Sequence, residues 1–128
     1  LALDRDNPRV AALYDPYHPA VLRVLEQIGS LVRKTGISAS ICGEIAGDHH
    51  FTPLLIGFGF RELSMAPVFL PRVKLMVRSF SIPECTAIAR QALAMDDAAS
   101  VRRLVRGQIR VRWARFLDET PPTGVISL

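Results

Sequence analysis

The chain has 128 residues, about half of them apolar, with two cysteines and a formal net charge of +4. This fits one ordinary domain with a real core and excludes wholesale disorder. No apolar run is long enough to cross a bilayer, and two cysteines are too few for a disulfide scaffold, so a cytoplasmic protein with reduced thiols and no membrane contact is expected.

Leu1, not Met, opens the chain, as expected of a fragment or a processed product, and Asp4, Arg5 and Asp6 do not fit a signal peptide. Residues 1–17 read as irregular, with turn signals at Asn7-Pro8 and Asp15-Pro16. His18-Pro19 can open a helix, because proline suits the first turn. Val21, Leu22, Leu25, Ile28, Leu31 and Val32 then recur at helical spacing, and Gly36 is a natural stop.

Residues 37–42, Ile-Ser-Ala-Ser-Ile-Cys, read as a short strand, and Gly43 and Gly47 bracket a tight turn. Asp48 or Thr52 can cap a short helix ending near Gly57 or Gly59. A second short strand is expected over 61–66, ended by Pro67, followed by a helix over 70–80. Ser81 or Pro83 opens the next helix, with Ile88, Ala89, Ala92 and Leu93 inward. Asp96-Asp97 can cap the last helix, whose apolar stripe is Val101, Val105, Ile109, Trp113 and Phe116. Thr120 to Gly124 breaks it, so a core unit over 1–118 and a flexible tail over 119–128 are expected.

Alternating strands and helices predict parallel βα units and an α/β class. Two short parallel strands do not make a stable sheet on their own, because such strands are normally flanked by neighbours and covered on both faces. The pattern therefore reads as part of a larger α/β domain.

Cys42 stands where a strand meets a glycine turn. Catalytic groups of α/β barrels project from such strand ends, glycine allows close approach of a ligand to backbone, and N–H groups before a helix favour anions. A thiol, mostly protonated at neutral pH, can act as acid or nucleophile. Position alone leaves open a small buried core residue, the usual lot of a free cysteine. Cys85, on a helical face, is expected to pack. His49-His50 suggests a metal, but neighbouring histidines point apart on a regular element, so a surface pair is expected. His18 reads as a helix-entry residue, and Ser64 and Met65 end the second strand near any substrate cleft. The arginines at 102, 103, 106 and 110 are expected to form a solvated face, with a nucleic-acid surface the weaker alternative.

Ile41-Cys42-Gly43-Glu44-Ile45-Ala46-Gly47-Asp48 resembles the cysteine motif of enzyme I of the phosphoenolpyruvate:sugar phosphotransferase system. The likeness extends in order through Leu3-Asp4-Arg5-Asp6-Asn7, Leu13 to Leu22, Glu62 to Pro67, Leu70 to Lys74 and Ala87 to Val105, covering roughly residues 1–107. It implies the C-terminal portion of a (β/α)8 TIM barrel, its last two strands with their helices, followed by C-terminal helices.

It further implies a phosphotransferase that passes the phosphoryl group of phosphoenolpyruvate to a histidine on another domain and then to a phosphocarrier protein, releasing pyruvate. In that frame Arg5 matches the arginine that holds the anionic substrate and Cys42 matches the residue that protonates the enolate carbon. The resemblance also implies Mg²⁺, with its ligands upstream of this chain and none within it; Asp4, Glu44 and Asp48 do not replace them. A homodimer is implied, and the fragment is expected to be inactive alone. Pyruvate phosphate dikinase and phosphoenolpyruvate synthase are related and also place a cysteine here, and a non-catalytic dimerisation or regulatory module is a further alternative.

Overall fold

A computed structural model describes residues 14–119, with side chains through Trp113. Arg5 and the rest of the first thirteen positions lie outside the described residues, as does the expected tail beyond Glu119.

The elements in order are helix α1 (Pro19–Thr35), strand β1 (Ser40–Cys42), the single turn α2 (Glu44–Gly47), α3 (Thr52–Phe58), strand β2 (Glu62–Ser64), a 3₁₀ turn (Pro67–Phe69), α4 (Leu70–Ser79), α5 (Ile82–Leu93) and α6 (Ala98–Glu119). The two strands pair in parallel, with Ser40 opposite Glu62, Ile41 opposite Leu63 and Cys42 opposite Ser64. The expected strand–helix alternation is present, in a small two-stranded sheet among helices. Each strand is shorter than its sequence pattern, because only three residues of each find a ladder partner.

Helix α1 begins as its sequence implies. His18 is extended and its Nδ1 accepts from the Ala20 N–H at 3.2 Å, an N-cap next to a proline at the first helical position. It ends at Gly36, whose φ of 72° is the left-handed stop that glycine adopts without a Cβ penalty. α5 opens on a full capping box: Ser81 Oγ accepts from the Glu84 N–H, and the Glu84 carboxylate accepts from the Ser81 N–H at 2.7 Å. Asp97 receives the Ser100 N–H at 2.8 Å at the start of α6. The cap expected for α3 differs. Its N-cap is Phe51, with no side-chain bond, and the Asp48 carbonyl accepts from the N–H groups of Phe51 and Thr52 instead.

Helix α3 forms the centre. Its segment is apolar all round, which requires burial from every side, and Phe51, Leu54, Leu55 and Phe58 are almost wholly inaccessible. α1, α4 and α5 pack around it, and α6 adds Val101, Val105 and Ile109 to the same core. Two glycines set how closely the helices approach. A Cβ on Gly29 of α1 would collide with the Phe58 carbonyl, and a Cβ on Gly57 of α3 would collide with the Cys85 carbonyl and lie 2.7 Å from Ala89 Cβ.

This contact through Gly29 rotates α1 away from the expected stripe. Leu22 and Leu25 are buried, but Ile28 and Leu31 are exposed and join Val24 in an open apolar row. The arginine face of α6 also differs from expectation. Arg103, Arg106 and Arg110 are exposed, whereas Arg102 lies over the Tyr17 ring at 4.4 Å and pairs with Asp15 at 2.6 Å. Trp113 is only partly covered, at the margin of the stripe.

Candidate functional site

Cys42 is the last residue of β1, and its ladder partner Ser64 is the last of β2. Alternation along a strand puts successive side chains on opposite faces. Ile41 and Leu63 turn toward the helical core, while Cys42 and Ser64 are exposed on the other face, at the same end. The buried-thiol alternative therefore does not hold for Cys42. It holds for Cys85, fully buried on α5, where loss of solvent, with Glu84 adding to it, pushes the thiol up to about 11.

After Cys42 the chain turns through Gly43, at a φ of 81°. Such a backbone strains any residue with a Cβ. One helical turn follows, closed by the Asp48 N–H on the Glu44 carbonyl at 3.0 Å. The loop is then held at two points. A Cβ on Gly47 would lie 2.8 Å from the Phe69 ring, so that ring packs on bare backbone. Asp48 Oδ2 accepts from the Tyr17 hydroxyl at 2.9 Å.

Tyr17 is the residue that sequence reasoning missed. Its ring is buried edge-on against Phe51 with centroids 4.9 Å apart. Its hydroxyl is kept protonated far above the usual phenol range, first by burial and then by the neighbouring Asp48 carboxylate. Tyr17, Asp48, Arg102 and Asp15 thus link the cysteine loop to α6 and to the segment before α1. No local signal marks these contacts, which join positions 31 and 87 residues apart.

The two histidines after Asp48 also depart from expectation. They stand in a turn, not on a helix or strand, and their ring centroids are 3.9 Å apart. Together with Asp48 they offer donor atoms within 4.8 Å of one another. Burial, with His50 adding to it, holds His49 below the ordinary imidazole range. Of the two site residues read from the sequence, Cys42 is thus placed at an exposed strand end, and Arg5 lies outside the described residues.

Residues 1–82 match the family model described as PEP-utilising enzyme, PEP-binding domain. A Salmonella typhimurium protein named phosphoenolpyruvate-dependent phosphotransferase system is 42% identical over 126 residues, 98% of this chain and 16% of its own length. Multiphosphoryl transfer protein 1 of Escherichia coli is 40% identical over 104 residues, 81% of this chain and 12% of that protein. The phosphoenolpyruvate-protein phosphotransferase of Borreliella burgdorferi is 40% identical over 97 residues, 76% of this chain and 17% of that protein. The chain spans less than a fifth of each of these relatives. With a family model matching well over half of it, and relatives at this identity running through its cysteine loop, the chain belongs to the PEP-binding domain family of PEP-utilising enzymes.

Proposed function

We propose that this chain forms the C-terminal part of the (β/α)8 barrel of a phosphoenolpyruvate-protein phosphotransferase, and that Cys42 is its proton donor. The observation that carries the reading is the position of Cys42: exposed, at the C-terminal end of a parallel strand, beside a glycine turn. Barrel enzymes build their sites at that end. The names of the relatives favour a phosphotransferase over the dikinase and synthase alternatives. The barrel reading is further supported by a parallel pair with no flanking strand among the described residues, and by the open row Val24, Ile28 and Leu31 on α1.

The proposed chemistry balances as follows. A histidine nitrogen on another domain attacks the phosphorus of phosphoenolpyruvate and the bond from phosphorus to the enol oxygen breaks. The electron pair stays with that oxygen as the pyruvate enolate. The Cys42 thiol then gives its proton to the methylene carbon, pyruvate leaves, and water restores the thiol. Arg5 is the proposed anion clamp, since a guanidinium grips phosphate or carboxylate with two parallel bonds and stays charged. The phosphoryl group passes from the histidine to a phosphocarrier protein, and the barrel is proposed to work as a homodimer.

Phosphoryl transfer of this kind uses Mg²⁺ to neutralise developing charge. The one group of three potential ligands found among the described residues does not suit that ion. The cluster at Asp48, His49 and His50 carries two imidazoles, and Mg²⁺ takes oxygen ligands. Its ligands are proposed, on the resemblance to enzyme I, to lie upstream of this chain.

The test is an exchange. Residues 1–107 replace the matching segment of the Borreliella burgdorferi phosphotransferase, and pyruvate release from phosphoenolpyruvate is followed with the phosphocarrier protein present. The chimera is expected to turn over, and the 128-residue chain alone to release no pyruvate. A folded chimera without turnover contradicts the proposal, as does pyruvate release by the isolated chain.

A further inference from the structure

We propose that Asp48, His49 and His50 form a binding site for a borderline divalent cation of the zinc type, separate from the phosphoryl-transfer chemistry. The inference does not rest on the role assigned to Cys42.

The carboxylate and the two imidazoles offer three donor atoms within 4.8 Å of one another. Sequence spacing gives no reason to expect this, because neighbouring residues on a regular element point apart. The turn after α2 removes that obstacle, and the turn is firmly made. The Asp48 N–H closes α2 on the Glu44 carbonyl at 3.0 Å, and the Asp48 carbonyl accepts from the Phe51 and Thr52 N–H groups at 2.9 and 3.2 Å.

The side chains are held as well. Tyr17 donates to Asp48 Oδ2, and the His50 backbone N–H donates to Oδ1 at 2.9 Å, which holds that oxygen 3.5 Å from His50 Nδ1 and leaves it a further lone pair. Ligating carboxylates are commonly oriented by such an outer hydrogen bond. His49 lies parallel to the Trp113 ring of α6, with an angle of 10° and centroids 6.3 Å apart. All three proposed ligands are half-buried, so solvent and an ion can enter.

The donor set selects the ion. Imidazole and carboxylate suit Zn²⁺ and its transition-metal neighbours, whereas Mg²⁺ and Ca²⁺ prefer oxygen alone. Bonds of about 2.0–2.2 Å require the donors to draw closer than they stand. Half-exposed side chains can make that movement by small rotations. Three protein ligands leave at least one position for water. A bound ion would fasten the end of the cysteine loop beside α6.

Trp113 is the single tryptophan of the chain and lies against His49, so its fluorescence reports on the surroundings of that ring. The experiment titrates the reduced 128-residue chain with zinc chloride, by calorimetry and by Trp113 emission. One ion per chain and a saturating change in emission are expected. His49→Ala and His50→Ala are each expected to weaken binding at least ~10-fold, and Tyr17→Phe, which removes only the outer hydrogen bond, by about 10-fold. Cys42→Ser is the control for zinc held by the exposed thiol, and should bind as the parent does. Melting curves identify any variant that fails to fold, and His49→Gln and His50→Gln then replace it. Millimolar Mg²⁺ should not compete. Absence of zinc binding to the parent chain overturns the proposal, and so does binding that survives loss of both histidines but disappears with Cys42.

Discussion

Two thiols of one chain end in opposite surroundings, and local structure decides which is available for chemistry. Cys85 faces α3 across a contact so close that Gly57 has no room for a Cβ, and burial keeps it a thiol. Cys42 stands free at a strand end. Iodoacetamide is therefore expected to label Cys42 at least ~10-fold faster than Cys85 in the folded chain, read by peptide mass spectrometry, because reaction needs access and thiolate. Equal rates would contradict the placement. Tyr17→Phe removes one hydrogen bond to a carboxylate and leaves the edge-on ring contact. It is expected to cost about 1–2 kcal/mol in urea unfolding. The place of Cys42, at a strand end before a glycine turn, was legible because those residues are neighbours in sequence; its exposure was not. Nor were the Tyr17 and Arg102 contacts, because only the packing of α6 on the loop brings those residues together.

Among the elements, helix ends were the most legible part of the fold, since capping uses residues within a turn of each other. Gly36 ends α1 as the sequence implies, and Ser81, one of the two starts offered for α5, is its N-cap, with Glu84 completing the box. Ser81→Ala is expected to cost about 1 kcal/mol, measured by denaturant unfolding. The Glu84 carboxyl is held below its ordinary value by the Ser81 backbone and hydroxyl, with Arg112 adding to this. A folded value below the unfolded one means the contribution is fully present above the usual carboxylate range and is lost as pH falls through the lower, folded value. The stability difference between the parent and Glu84→Gln is therefore expected to shrink as pH falls from 6 to 3. A constant difference would show that the charge is not involved.

Helix faces were less legible. The periodicity of α1 counts Ile28 and Leu31 as core, yet the helix turns Gly29 inward against the Phe58 carbonyl. A close approach through glycine leaves no hydrophobic mark in the sequence. The same reasoning gives a prediction at Gly57, where alanine must displace the Cys85 backbone. Gly57→Ala is expected to cost about 1–3 kcal/mol, whereas Gly107→Ala on α6, where a Cβ meets nothing within 4 Å, is expected to be neutral or stabilising.

For the whole molecule, α3 explains the helical cluster but not the sheet. Its two parallel strands pair only with each other among the described residues, and Val24, Ile28, Leu31 and Phe69 are exposed beside the core. Unpaired strand edges and open apolar rows invite association. The isolated chain is therefore expected to form oligomers in light scattering; a monodisperse monomer with a cooperative melt would count against this. The alternation of strands and helices was readable in the sequence, and the small parallel sheet among helices is compatible with part of an α/β domain.

The most direct test of the central proposal places Cys42→Ala in the chimeric phosphotransferase and compares pyruvate release from phosphoenolpyruvate with that of the parent chimera. A positioned general acid contributes roughly 10²–10⁴-fold. A fall of at least ~100-fold in a chimera that still folds and binds phosphoenolpyruvate is the expected result. Undiminished pyruvate release would remove Cys42 from the chemistry and leave it an exposed thiol beside a glycine turn.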